Sequence, residues 1–396
     1  MSKVLTHLHS VGLLGLFLLC LPIAAQAATP PDCLSREWVL PGQIPQEDRP
    51  AYTKSFNQCN EDLKAAWIDQ MRADKLSDTS RMVLFWHNHF TSSIQKVRLP
   101  NLMWQQHELI TRYAMGNFRV FLHAMAKDPA MLIYLDGVRN LRQAPNENFA
   151  REVLELFTLG EGHYSEQDVK EAARAFTGWS LNKQRQFVFN LKQHDDSDKS
   201  FMDHSGKLNG DDILDIVLNN PETAHFITEK LWAYWVGKPA PQRVNQLAQG
   251  FYQNYEIADL IDAIKATDEY RNRPRNQVKS PVELLIPTLV KTGNDFPSAD
   301  VAKQLRRLGQ DLLNPPNVKG WPSSNDWLTS TYLIYRQNIL ASYGRQYGKR
   351  LIDQHQACST DALAELMPTP PLRKEFASRC PQKIVQWLTD PSFQLK

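Results

Sequence analysis

The stretch that most constrains the fold covers residues 144–180, A-P-N-E-N-F-A-R-E-V-L-E-L-F-T-L-G-E-G-H-Y-S-E-Q-D-V-K-E-A-A-R-A-F-T-G-W-S. Two helical apolar periods flank a short polar loop. In the first, Phe149, Val153, Leu156, Phe157 and Leu159 share a face, Asn146 can cap the start, and Gly160 suits the end. In the second, Ser165-Glu166-Gln167-Asp168 reads as a capping box, with Gly178 as the stop. Its apolar line is Val169, Ala172, Ala173 and Phe176, and the small alanines permit close helix packing. The pair reads as the spine of one large helical domain.

The same period recurs along the chain. Leu63, Ala66, Trp67 and Met71 fall at helical spacing from about Asn60 onward. Asp78 or Thr79 can cap the next helix, which runs through Met82 into His87-Asn88-His89-Phe90. Further helices follow Pro100, Phe118 and Asp128-Pro129. Asn220-Pro221 and Ser280-Pro281-Val282-Glu283 open others with proline at the first helical position, and residues 327–343 give one more. The one hairpin signal sets Trp179-Ser180-Leu181 against Phe187-Val188-Phe189. Residues 314–322, N-P-P-N-V-K-G-W-P, must be an ordered loop, and no repeat or low-complexity linker divides the chain. The expected fold is mainly α, a large single helical domain with at most a small β-hairpin near 179–190. The expected divisions are a signal peptide over 1–27, an extended leader over 28–59, a helical domain over 60–345 and a C-terminal helical appendage over 346–396.

Residues 1–27 have the form of a secretory signal: Lys3 is the only charge, 11–23 is apolar, and Ala25-Gln26-Ala27 is a cleavage site. Cys20 follows two leucines rather than small residues, so no lipid anchor is expected, and no later run reaches membrane-spanning length. A periplasmic or extracellular location follows. Cys33, Cys59, Cys358 and Cys380 remain, an even count that implies two disulfides in an oxidising compartment. Four cysteines allow three pairings. Sequence proximity favours Cys33–Cys59 and Cys358–Cys380, each closing a terminal segment. A formal net charge of +2 argues against nucleic acid as the main partner.

The motifs W-H-N-H-F (86–90), N-E-N-F-A-R-E-V-L-E-L-F-T-L-G-E-G-H-Y (146–164) and D-V-K-E-A-A-R-A-F-T-G-W (168–179) occur in this order, followed by H-D (194–195), G-D-D (210–212), K-S-P-V-E (279–283) and P-P-N-V-K-G-W-P (315–322). Together they resemble the bacterial family called domain of unknown function 1800, over roughly residues 63–340, with the cysteine-bearing ends outside. The resemblance implies a largely helical and often exported protein. It also implies a genetic neighbour, a co-exported sulfatase/phosphatase-like protein, as the expected partner. It implies no reaction. Ser197 stands where the family more usually has glycine after His-Asp-Asp.

Candidate chemistry falls in loops and at helix ends, where sites are normally built. His87 and His89 are the candidate metal ligands. On a continuing helix they diverge by about 200°, so joint coordination of a divalent metal requires the helix to break near Phe90. Glu152 and Glu155 form an E-x-x-E pair on one helical side, a spacing used in metal sites and acid–base catalysis. Arg151 can partner Glu155, which leaves Glu152 the better candidate. Glu161 and His163 stand beside Gly160 and Gly162, where glycine permits close approach to a ligand, and His163 can act as acid or base. His194-Asp195-Asp196 offers imidazole and carboxylates in a segment too polar for a core. Arg271, Arg273, Arg275 and Lys279 make a basic strip that suits an acidic glycan or a partner, with a solvated loop as the commoner use. No nucleophile elbow, phosphate-binding glycine loop or H-E-x-x-H is present.

Two readings follow. One is an exported enzyme, metal-assisted or acid–base and hydrolase-like, that acts on an envelope or extracellular substrate. Its pocket would gather His163, Glu152, Glu161, His194 and Asp195, with His87 and His89 on a metal. The other is a non-catalytic accessory protein bound to a co-exported partner, with the same motifs serving as helix caps and Trp179, Trp321 and Trp327 as a recognition surface.

Overall fold

Trp86 is fully buried, and its indole N–H donates to the Ala114 carbonyl at 2.9 Å. Phe90, Phe118 and Phe121 stack or stand edge-on around its ring, with centroids 5.4 to 5.8 Å away. A large aromatic side chain with its one polar atom satisfied makes a strong anchor, and the first helices assemble on it. The computed structural model describes residues 30–367 and 369–396, so the expected signal peptide at 1–27 and Cys20 lie outside the described residues.

Helix α1 (Arg49–Ala73) leads to α2 (Asp78–His89), the short α3 (Ile94–Val97), α4 (Pro100–Tyr113), α5 (Phe118–Ala126) and α6 (Pro129–Tyr134). α4 is the hub of this group and touches all the others. Helix α7 (Glu147–Glu152) runs straight into a π-helix (Val153–Thr158) and packs on α8 (Glu166–Ala175). Two small antiparallel hairpins follow: β1 (Trp179–Leu181) with β2 (Phe187–Phe189), and β3 (Lys199–Phe201) with β4 (His204–Gly206). The chain then returns to helices α9 (Gly210–Leu218), α10 (Pro221–Trp235), α11 (Pro241–Asn254), α12 (Ile257–Lys265) and α13 (Asp268–Arg271). Helices α14 (Pro281–Thr292) and α15 (Ser298–Arg307) pack back on α1. Last come α16 (Ser330–Asp353), α17 (Asp361–Ala364) and α18 (Cys380–Leu388).

The mainly helical class holds, and the caps fall where local chemistry puts them. Ser165 with Asp168 and Ser280 with Glu283 form capping boxes, while Asn146 and Asn220 accept backbone N–H groups at their helix starts. The cap of α2 is Ser77, one residue before the expected position. The first hairpin has the expected strands, in the register Trp179↔Phe189 and Leu181↔Phe187. The second lies in the segment read as a polar loop. Its turn at Met202 and Asp203 takes positive φ, and three-residue strands are too short to display an alternating pattern.

Two expected divisions differ in extent. Helix begins at Arg49, so the leader is irregular only over its first part. Tyr52, Phe56 and Cys59 carry the apolar stripe of Leu63 backward by turns, behind a Pro50 that fits the helix start. Further on, α16 passes unbroken through 345–346, so the C-terminal hairpin shares a helix with the main body.

Both favoured disulfides are present, Cys33–Cys59 and Cys358–Cys380. The second closes the hairpin of α16 and α18, whose backbones nearly touch. A Cβ on Gly344 would lie 2.9 Å from the Val385 Cα, and one on Gly348 would lie 2.6 Å from the Pro381 Cα. Replacing Gly348 by Ala should therefore force the two helices apart at a cost of about 1–3 kcal/mol, the usual range for overpacking. Hydrogen exchange should quicken in residues 380–388 while α4 keeps its protection. Unchanged exchange at 380–388 would show that the close approach is not required.

Candidate functional site

The end of α2 is where separate parts of the chain meet. The Asn88 side-chain oxygen accepts the Trp321 backbone N–H at 2.6 Å, which fixes the proline-rich loop 315–322 against the helix end. Gly320 makes the approach feasible: its φ is +92°, and a Cβ there would stand 2.2 Å from Asn88 Oδ1. The Trp321 indole then donates to the Asp311 carbonyl at 3.0 Å, so the ring is a buried strut of the loop.

The π-helix supplies a second element. Leu159 N–H reaches the Leu154 carbonyl at 2.9 Å, and Gly160 N–H turns back to the same oxygen at 3.1 Å. The widened turn takes away the donor that Leu156 would meet in an α-helix, and the helix end does the same for Phe157. Two side chains replace these donors. Lys230 Nζ, from α10, donates to the Leu156 carbonyl at 3.4 Å, and His89 Nε2 donates to the Phe157 carbonyl at 3.2 Å. A cation at a helix C-terminus also meets the favourable end of the helix dipole.

These contacts fix the chemistry of both side chains. Because His89 Nε2 carries the proton, Nδ1 holds a lone pair, and among the described residues it has no hydrogen-bond partner. Burial, then the Lys230 charge, push the His89 pKa well down, so the ring is neutral. Desolvation brings the Lys230 ammonium down to about 8. Both residues line a cleft of about 440 Å³, together with Asn88, Tyr234, Lys319 and Trp321. The far wall is Glu283, almost wholly buried at the start of α14. It receives Lys396 Nζ at 2.5 Å, Arg81 at 3.3 Å and the Ser280 backbone N–H at 3.0 Å. Desolvation opposes its charge, but Lys396 and Arg81 hold its pKa down to about 2.

The other candidates lie around this centre or apart from it. Because α2 stays helical to its last residue, His87 leaves on another side. Its Nε2 meets His107 Nδ1 at 3.1 Å, and its ring lies 4.3 Å from Trp67. Joint coordination by His87 and His89 is therefore not built, and among the described residues no group of three or more His, Cys, Asp or Glu side chains is arranged to hold a metal ion. Glu152 has its pKa raised, by desolvation and then by Glu155, and lies within electrostatic reach of Lys319. Glu155 accepts the Tyr164 hydroxyl at 3.2 Å. Glu161 is exposed, 3.8 Å from Lys319 Nζ, so these acids stand near the cleft mouth. His163 sits 3.6 Å from Glu222 at the surface.

His194 and Asp195 belong to a different assembly. The buried His194 ring donates to the Thr177 carbonyl at 2.9 Å. Asp195 takes Arg174 Nε at 2.8 Å and the Ser197 N–H at 3.1 Å, and Lys199 reaches its backbone carbonyl. Desolvation is outweighed there by Arg174 and Ser197, which keep the Asp195 carboxyl well below the usual range. The polar segment is thus fastened onto α8, and Ser197 joins the fastening. Trp179, Trp321 and Trp327 are 2–5% exposed, so they cannot form the expected recognition surface.

Sequence reasoning passed over Lys230, Asn88, Glu283 and Lys396 as site residues. Lys230 had a signal: with Phe226, Ile227 and Leu231 it falls on the apolar face of α10, where a lysine is out of place. Lys396 had none.

Glu283 generates a prediction. Its folded pKa of about 2 lies below an unfolded value near ~4.3, so its contribution is complete above pH ~4.3. The contribution, about 3 kcal/mol, is lost as pH falls toward 2. Glu283→Gln should remove a similar amount at pH 7, because it leaves Lys396 and Arg81 without their buried counter-charge. Its stability should also fall less steeply in acid than that of the parent. Denaturant melts from pH 2 to 7 would read both, and parallel acid limbs would contradict the assignment.

Residues 21–394 match the model of the family described as protein of unknown function (DUF1800), so the cysteine-bearing ends fall inside the family region rather than outside it. No curated protein and no solved structure matches the chain. With nearly the whole sequence covered, the chain belongs to the DUF1800 family.

Proposed function

We propose that the protein is an exported acid–base enzyme, hydrolase-like in type, acting on an envelope or extracellular substrate at the cleft beside α2. One observation carries the reading. A neutral histidine with an unpartnered nitrogen and a lysine shifted to about 8 share the wall of one cleft, each held by a carbonyl that the π-helical end leaves free. A group with pKa near the working pH is suited to proton exchange, and Lys230 meets that condition. In this reading the Lys230 ammonium is the proton donor and stabilises developing negative charge, while the neutral His89 ring keeps Nδ1 as a hydrogen-bond acceptor. A perturbed pair in a concave pocket with aromatic walls is the arrangement expected of a functional site. Two disulfides support an oxidising compartment, and hence export.

A second reading, an accessory protein for a co-exported sulfatase/phosphatase-like partner, draws support from one feature. Leu328, Leu333, Ile334 and Tyr335 are exposed together just beyond the cleft loop.

The test separates the two readings. Purified mature protein should release fragments from isolated sacculi or extracellular polysaccharide. Lys230→Met should lower the rate about 100-fold or more, the range for loss of a general acid, with an unchanged circular dichroism spectrum. No release from any such polymer, combined with co-purification of a partner that a Ile334→Asp/Tyr335→Asp variant loses, would decide for the accessory role.

A further inference from the structure

Behind the Glu283 wall lies a second cleft of about 290 Å³, and Tyr234, Gln277, Glu283 and Lys396 line both. Five cations face it: Arg81, Arg273, Arg275, Lys279 and Lys396. Three carboxylates also line it, but each is already engaged. Asp78 pairs with Lys265 and Glu365 with Lys291, from outside the lining, and Glu283 holds Lys396 and Arg81. Arg273 and Arg275 have no carboxylate within salt-bridge distance among the described residues. The Arg273 guanidinium instead lies 4.0 Å over the Tyr270 ring and donates to the Tyr270 carbonyl at 2.7 Å.

Lys279 is the buried member. It is 7% exposed, and its Nζ donates to the Leu366 carbonyl at 2.5 Å and the Phe393 carbonyl at 2.8 Å. One N–H is left over. Desolvation lowers its pKa to about 7, and Arg81, Arg336 and Lys396 add to the shift, against Glu283 alone. Surplus positive charge around a buried ammonium is unfavourable until an anion enters, and guanidinium groups bind oxyanions through paired N–H bonds.

We propose that this second cleft is the oxyanion subsite of the groove, binding a sulfate, phosphate or carboxylate group of a polymeric substrate. The inference rests on the proposed acid–base reading for what happens next door. It deepens that reading by making the substrate an anionic polymer, held with its charged group behind Glu283 while an adjacent unit lies beside Lys230.

Titration calorimetry with the mature protein in 150 mM salt tests the idea, using dextran sulfate as the probe, neutral dextran as control and inorganic sulfate as the isolated group. Dextran sulfate should bind and neutral dextran should not. Arg273→Ala/Arg275→Ala should weaken binding at least tenfold. Arg307→Ala/Arg345→Ala, which removes two exposed arginines lining neither cleft, should change it less than twofold. Acylation of Lys279, followed by mass spectrometry at pH 7.5, should drop at least threefold when dextran sulfate or sulfate is present. Equal weakening by both arginine pairs, or Lys279 acylation unaffected by the probes, would overturn the subsite. Lys230→Met, which lies outside this second cleft, should bind inorganic sulfate as the parent does. Turnover that survives Lys230→Met while Arg273→Ala/Arg275→Ala weakens binding would sink the acid–base reading alone, and turnover lost in Lys230→Met with binding indifferent to Arg273 and Arg275 would sink the subsite alone.

Discussion

A single buried carboxylate, that of Glu283, ties together segments that the sequence keeps far apart. It sits at the third position of α14, where it completes a capping box with Ser280, and it also receives Arg81 from α2 and Lys396. Placing a carboxylate in a nearly closed site costs several kcal/mol unless partners of opposite charge arrive with good geometry. Glu283 therefore requires α2, α14 and residue 396 to be in place at once. Together with Tyr234, Gln277 and Lys396 it lines both clefts, and Lys396 Nζ stands 4.6 Å from the centroid of the Tyr234 ring.

The matched motif blocks divide into two physical groups. W-H-N-H-F, the π-helix, K-S-P-V-E and P-P-N-V-K-G-W-P converge on the cleft through Asn88, His89, Ser280, Glu283 and Trp321. The blocks 168–179, 194–195 and 210–212 instead build a scaffold. There Arg174 holds Asp195 and Glu171, and a Cβ on Gly210 would stand 2.4 Å from the Trp179 ring. A polar pair such as His194-Asp195 looks catalytic in a sequence because the same groups that do chemistry also fasten loops. Only their neighbours distinguish the two uses.

What the sequence made legible was local. Caps at Asn146, Ser165, Asn220 and Ser280 are decided by side chains within three residues, and the β1–β2 hairpin by two aromatic runs around a turn. His89 was visible as a histidine at a helix end. Its lone pair was not, because that depends on the Phe157 carbonyl 68 residues away. The π-helix was hidden as well. Phe149, Val153, Leu156, Phe157 and Leu159 fit an ordinary helical stripe, and the widened turn shows only in the hydrogen bonds. Lys230 was legible in retrospect, as one lysine on an apolar face. The joining of Lys396 to Glu283 across 113 residues left no trace in spacing.

The π-helical turn also has a genetic aspect. A π-turn is an α-turn with one residue added. Across residues 153–158 that addition coincides with the place where Leu156 and Phe157 give up their helical partners to Lys230 and His89. An ordinary helical hairpin with buried side chains on α2 and α10 thus stands one in-frame codon from this arrangement. Removing that codon would return the Leu156 carbonyl to the helix and rotate the residues at its end, and the start of the loop after it, by about 100°. Glu161 and His163 would then turn away from Lys319 and Glu222, so a three-base change would alter the cleft wall and its rim together.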